Sequence, residues 1–167
     1  ATIIRSANER GRHVLQYDFD ESVGYWLCTA ATAMQDALNQ ELAQHGITYR
    51  QFQVLAWLSH AGEELTQADL AARMRIEPPT LVGLLDRMEQ QGWITRVGCP
   101  GDRRKKLVRP APAAEEVWER MVEILTRVRA RATARLTPEQ VDSLREILRT
   151  MHETLTATAP QPAVTQS

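Results

Sequence analysis

Between residues 62 and 110 the chain reads GEELTQADLAARMRIEPPTLVGLLDRMEQQGWITRVGCPGDRRKKLVRP, and this stretch limits the fold more than any other. It specifies a short helix, a tight turn, a second helix and a hairpin. Thr66 can cap the first helix, Asp69 is the reciprocal acid three residues on, and Leu65 can staple onto Leu70. A turn over Met74 to Glu77 follows. Pro78 and Pro79 then open the second helix, where a missing N–H costs nothing. Leu81, Leu84, Leu85 and Met88 recur at i, i+3, i+4, i+7 and form one apolar stripe. The opposite face carries Thr80, Gly83, Asp86, Arg87 and Gln90, and Gly92 ends the helix.

Two short strands are predicted next, Trp93 to Val97 and Lys106 to Arg109, around the turn Gly98-Cys99-Pro100-Gly101-Asp102. From Trp93 to Arg109 there are six basic residues (Arg96, Arg103, Arg104, Lys105, Lys106, Arg109) against one acid, Asp102, so the hairpin is +5 in a chain of net charge −1. A near-neutral chain that gathers positive charge on one projection presents it to an anion. One helix suited to a major groove beside one basic hairpin selects double-stranded DNA as the partner.

In order and spacing, Leu-Thr-Gln-Ala-Asp-Leu-Ala at 65–71, the Gly92-Trp93-Ile94 step and Asp102-Arg103-Arg104 with Lys-Leu-Val following resemble the winged helix-turn-helix of the MarR family of bacterial regulators. The resemblance extends over about residues 22 to 155, because the flanking helices match in number and order. It implies a dimeric transcriptional regulator. It also implies that Asp102 and Arg104 act as a unit, the acid orienting the base into a minor groove. A typical family member has a capping Thr where Ala111 stands, a loss of ~1 kcal/mol that Glu115 and Glu116 in the first turn partly offset.

The rest of the chain supplies helices. Residues 1–20 lack sustained periodicity and read as an N-terminal arm. A helix from Glu21 to about Gln44 carries Leu27, Ala30, Ala31, Met34, Leu38 and Leu42 on one side, and Gly46 stops it. Thr48 with Gln51 forms a capping box for a second helix, Ile47 staples onto Phe52, and Phe52, Leu55 and Leu58 carry its apolar face. A long helix spans about Pro112 to Arg135, with Val117, Met121, Ile124, Leu125 and Val128 at helical spacing. Leu136-Thr137-Pro138-Glu139-Gln140 starts the last helix, whose Val141, Leu144, Leu148, Met151 and Leu155 make a heptad-like seam. Residues 157–167 read as a disordered tail.

The expected fold is therefore mainly α with a small β-hairpin wing. A winged helix-turn-helix lobe at 47–110 joins a helical dimerisation region made of 21–46 and 111–156. A lone lobe offers too little surface for the long terminal helices, so a homodimer is expected. Its two recognition helices would read a pseudo-palindromic operator with half-sites about one helical turn (~34 Å) apart.

The candidate DNA contacts are Thr66, Gln67, Pro79, Thr80, Gly83 and Arg87 on the helices and Asp102, Arg103, Arg104, Lys105 and Lys106 on the wing. Thr66 serves equally as a cap alone, and the lesser alternative for Arg87 is a solvated pair with Asp86 or Gln91. Gly83 costs a helix interior up to ~1 kcal/mol, and either close approach to DNA or close packing on a neighbouring helix accounts for it. Lysines and arginines beside Arg104 add affinity and salt dependence with little sequence information. A small phenolic or aromatic effector is expected in a cleft between the helical region and the DNA lobe, where Tyr25, Trp26, His45, Tyr49 and Trp57 are candidates; the alternative is that they fill core, which is the favoured reading for Trp57. The alternative switch is oxidation of Cys28, since Trp26-Leu27-Cys28 ahead of Gly46-Ile47-Thr48-Tyr49 is similar to the peroxide-sensing branch of the family.

Composition, 43% hydrophobic and 25% charged, is that of a soluble globular chain. No run approaches the ~20 apolar residues of a membrane span, and no signal peptide is evident. Two cysteines in unrelated contexts make no disulfide framework, so a reducing cytoplasm is the expected compartment. The histidines (His13, His45, His60, His152) are scattered, and no metal-ligand spacing, phosphate loop or nucleophile elbow appears. No enzyme, metal or cofactor is expected. A winged helix serving as a protein-interaction module is the remaining rival, and the charged hairpin argues against it.

Overall fold

The computed structural model describes residues 17–99 and 102–157, with the side chains of Arg103 and Arg104 outside that description. Residues 1–16 of the predicted arm (1–20), the turn residues Pro100 and Gly101, and residues 158–167 of the predicted tail (157–167) lie outside it as well. In order the elements are α1 (Val23–Ala43), α2 (Tyr49–His60), β1 (Leu65–Thr66), α3 (Gln67–Met74), α4 (Pro78–Gln90), β2 (Ile94–Cys99), β3 (Asp102–Pro110), α5 (Ala114–Thr133) and α6 (Pro138–Ala157).

Local signals place most of these boundaries. Ser22 caps α1 by accepting the Tyr25 N–H. Thr48 and Gln51 form a complete capping box on α2, and Thr66 and Asp69 form another on α3. Thr137 accepts the Gln140 N–H while Gln140 accepts the Thr137 N–H, which starts α6 the same way. Gly46 and Gly92 both adopt positive φ, 68° and 72°, and turn the chain out of α1 and α4. Arg75 does the same after α3 at φ 51°, where a side chain is disfavoured. Its N–H reaches back to the carbonyls of Ala71 and Ala72, which closes α3 before the turn into α4.

The hairpin differs from the sequence expectation in extent. Pairing continues from Ile94↔Pro110 to Cys99↔Asp102, with an irregularity at Gly98/Cys99. The basic run therefore lies within β3, where Lys106 pairs with Gly98 and residues 103–105 fall at the irregularity between Gly98 and Cys99. A third strand, β1, pairs Leu65 with Val108 and Thr66 with Leu107, giving the order β1-β3-β2. Two residues carry no readable alternation, so the sequence did not reveal it. Helix α5 starts at Ala114 rather than 112, since Ala111 has no side-chain oxygen for a cap and the chain enters through a turn closed by Ala114 N–H to Ala111 carbonyl, 2.8 Å.

The chain divides into two units, Ala1–Val128 and Arg129–Ser167. In the first, Leu42, Val54, Leu65, Leu70, Leu81, Leu85, Met88, Ile94, Val108, Met121 and Ile124 are fully buried and make one core. All four predicted stripe residues of α4 are in it. On α2 the deepest residue is Val54, outside the predicted stripe, while Phe52 and Leu58 are partly buried. On α1 only Leu38 and Leu42 are buried, and Leu27 and Met34 of the same stripe are exposed. In the second unit α6 has no buried residue, and Leu144, Leu148 and Leu155 of its seam are exposed.

Candidate nucleic-acid interface

The apolar stripe of α4 holds the helix on the core and fixes which side faces out. That outward side presents Thr80, Arg87 and Gln90, all exposed, with Pro79 beside Thr80 at the helix start. Gly83 lies between them, and a Cβ built there meets no atom within 4 Å. Packing on a neighbouring helix within the chain is therefore not what Gly83 serves. Among the described residues Arg87 has no ion pair: Asp86 is taken by Arg96, and Gln91 accepts from Gln51 Nε2.

Thr66 is half-buried and spent on capping. Its N–H and hydroxyl both donate to Asp69 Oδ2, at 2.9 and 2.6 Å, and its hydroxyl oxygen accepts the Asp69 N–H at 3.2 Å. Gln67 follows as the first residue of α3 and is partly exposed. The Asp69 carboxyl is held below the usual aspartate range, first by the Thr66 hydroxyl and backbone N–H and further by the positive charges of Arg73 and Lys105. The Thr66↔Leu107 pairing sets the basic strand beside the N-terminal turn of α3.

On the wing, Lys105 and Lys106 are exposed and Asp102 is half-buried, opposite Cys99. Arg103 and Arg104 are strand residues of β3, and their side chains lie outside the described residues. The expected charge of the hairpin is corrected by ion pairs. Arg96, only 20% exposed, binds Asp86 at 2.7 Å and Glu89 at 2.6 Å. Arg109 pairs with Glu64. Both cations are paired with acids outside the hairpin, so among the described side chains of the wing the exposed unpaired cations are Lys105 and Lys106.

The aromatic candidates fall into three separate groups. Tyr25 and Trp26 join Tyr17 and Phe19 in a chain of edge-to-face contacts at the start of α1, and the Trp26 indole N–H donates to the Asp20 carbonyl at 2.9 Å. Tyr49 contacts Phe52, whose ring stacks on Trp118. Trp57 contacts His60 and lies under the Arg73 guanidinium. An open concavity of about 470 Å³ is lined instead by Leu55 and Ser59 of α2, the Pro110–Pro112 lead, and Ala114, Glu115 and Trp118 of α5. His45 borders a smaller one, about 210 Å³, with Trp93 and Arg120. Tertiary packing brings the α2 residues to the wing–α5 junction, and local sequence carries no trace of that. Cys28 is exposed on α1 and Cys99 is half-buried. Among the described residues no group of three or more His, Cys, Asp or Glu could hold a metal ion, and no helix is long and apolar enough to cross a membrane.

Residues 45–105 match the model of the MarR family. Among solved structures, the transcriptional regulator PA4135 is similar at 27% identity and TM-score 0.70, over 83% of this chain and 98% of its own. A cysteine-to-serine variant of MarR from E. coli complexed with operator DNA aligns at 24% identity and TM-score 0.66, over 77% of this chain and 92% of its own. CouR from Rhodococcus jostii RHA1, bound to p-coumaroyl-CoA, aligns at 21% identity and TM-score 0.68, over 81% and 95%.

Proposed function

Since the chain carries a MarR-family winged helix-turn-helix lobe, we propose that it is a homodimeric transcriptional regulator that reads a pseudo-palindromic DNA operator. It acts as a repressor, because a dimer lying across a promoter blocks polymerase without a further contact surface. The observation that carries this reading is the bare outer face of α4. Thr80 and Arg87 are exposed and half-buried Gly83 has open space for a Cβ, on a helix whose other side is locked in the core, and the β1–β3 pairing sets the cationic strand beside the start of α3. Thr80, Arg87 and the backbone at Gly83 and Pro79 would approach base edges and phosphates. Asp102 and Arg104 would enter the minor groove, with Arg103, Lys105 and Lys106 on phosphates. Gln67 and the capped start of α3 would face the phosphate backbone. The DNA complex of the structurally similar MarR supports this use of the fold.

Release of the operator is assigned to a small phenolic or aromatic ligand in the concavity between α2 and α5. Its walls are mainly apolar, Trp118 supplies a ring face, and CouR holds a ligand whose p-coumaroyl group is a phenol. Exposure of Cys28 favours a second reading, in which oxidation of this thiol releases the operator. Selecting bound duplexes from a random pool tests the main claim. Titrating the winning duplex complex with phenols, and with organic hydroperoxide against a Cys28→Ser variant, separates the two switches. Equal hydroperoxide sensitivity in both proteins removes the thiol, and failure to enrich any duplex removes the regulator.

A further inference from the structure

The guanidinium of Arg96 joins the wing to the recognition helix. Arg96 is the third residue of β2, at the root of the wing. Its backbone N–H donates to Glu89 Oε1 at 3.0 Å, and its Nε and Nη2 donate to Glu89 Oε2 at 3.0 and 2.6 Å. The same Nη2 meets Asp86 Oδ1 at 2.7 Å. Glu89 and Asp86 are one turn apart on α4, the helix whose outer face carries the DNA-reading residues. One side chain and its own amide thus grip two adjacent turns of the recognition helix. The side chain is largely covered, so the pairs are less screened than exposed ones.

We propose that Arg96 is a positioning residue that fixes the angle of the wing against the recognition helix, so that both reach the duplex in one register. The inference rests on the DNA-binding reading above and deepens it. A planar, bidentate donor suits this task, because a guanidinium bound through two nitrogens and a backbone amide cannot swivel about a single bond. A lysine would keep the charge and lose the fork. Arg96 faces the protein rather than the duplex, so the wing-tip cations deliver the binding and Arg96 decides where they are delivered. Without the clamp, the strands remain paired through the sheet but the hairpin pivots about the Gly92-Trp93 step.

The test is a double-mutant cycle on the full-length chain with a selected duplex, using Arg96→Met, Arg104→Ala and the combination. Backbone amide exchange at 97–99 and 102–106 is read in the same proteins without DNA. If the clamp aims the wing, Arg96→Met weakens binding on the order of tenfold. The double variant then loses little more than the greater single loss, because an unaimed tip has nothing left to contribute. Wing amides exchange faster in Arg96→Met while those of α3 and α5 do not change. Arg96→Lys gives an intermediate loss. Additive losses in the cycle, or unchanged wing exchange, overturn the proposal. If Arg96→Met melts globally, Glu89→Gln with Asp86→Asn opens the clamp from its other side and is read in the same way. If the wild-type chain binds no duplex at low salt, the regulator reading fails, and the exchange measurement alone decides whether Arg96 braces the wing.

Discussion

Gln51 Nε2 donates to Gln91 Oε1 across 2.8 Å, and this bond ties the first turn of α2 to the C-cap of α4. Gln51 is buried, and its Oε1 also accepts the Thr48 N–H and hydroxyl. One side chain therefore completes a capping box and anchors α4. Gln51→Ala removes the cap partner and leaves Gln91 unpaired, so urea denaturation should show a loss of ~1–3 kcal/mol. A loss under half that size contradicts the assignment.

Gly83→Ala separates stability from binding. Alanine is favoured over glycine in a helix interior by up to ~1 kcal/mol, and the site has open space for a methyl group. The variant should melt higher and bind operator less tightly, because the added Cβ holds the helix away from the duplex. Tighter or unchanged binding would remove Gly83 from the interface.

The Asp69 carboxyl, held down chiefly by the Thr66 hydroxyl, gives the acid limb of stability a defined sign. Its folded pKa lies below the value of about 3.9 for a free aspartate. The stabilisation is therefore complete above that value and is lost as pH falls through the lower folded pKa. Asp69→Asn should flatten this part of the pH–stability curve. Identical acid limbs in the two proteins would show that the capping box carries no such linkage.

If two chains associate as proposed, the exposed seam of α6 is the surface expected to hold them together. Leu144 and Leu148 are 42% and 38% exposed on a helix with no buried residue. Replacing both with glutamate should give a monomer by light scattering, with loss of tight binding to a two-half-site duplex. A dimer of wild-type strength would move the interface elsewhere.

These elements differ in how far the sequence announced them. The boxes at Thr48/Gln51, Thr66/Asp69 and Thr137/Gln140 were legible because cap and partner lie three residues apart. The stripe Leu81-Leu84-Leu85-Met88 was legible by its period. Ion pairs were not. Arg109 meets Glu64 across the β1–β3 pairing, and Arg96 turns back onto α4, so the counted wing charge overstated what projects. Gly83 had two physical explanations in sequence, and the open space around it removes close packing on a described neighbouring helix of the same chain. The aromatic candidates were read as one cleft, but Tyr25, Tyr49 and Trp57 pack into different groups, since nothing local records which helices meet.

The central claim is tested most directly by the salt dependence of duplex binding, followed by fluorescence anisotropy. Wild-type protein should show a steep negative log–log slope. Lys105→Ala with Lys106→Ala should reduce its magnitude by about 4 per bound dimer, since the pair removes four lysines across the two subunits and each would neutralise one phosphate. A flat slope in the wild type, or one indifferent to both lysines, would contradict the account.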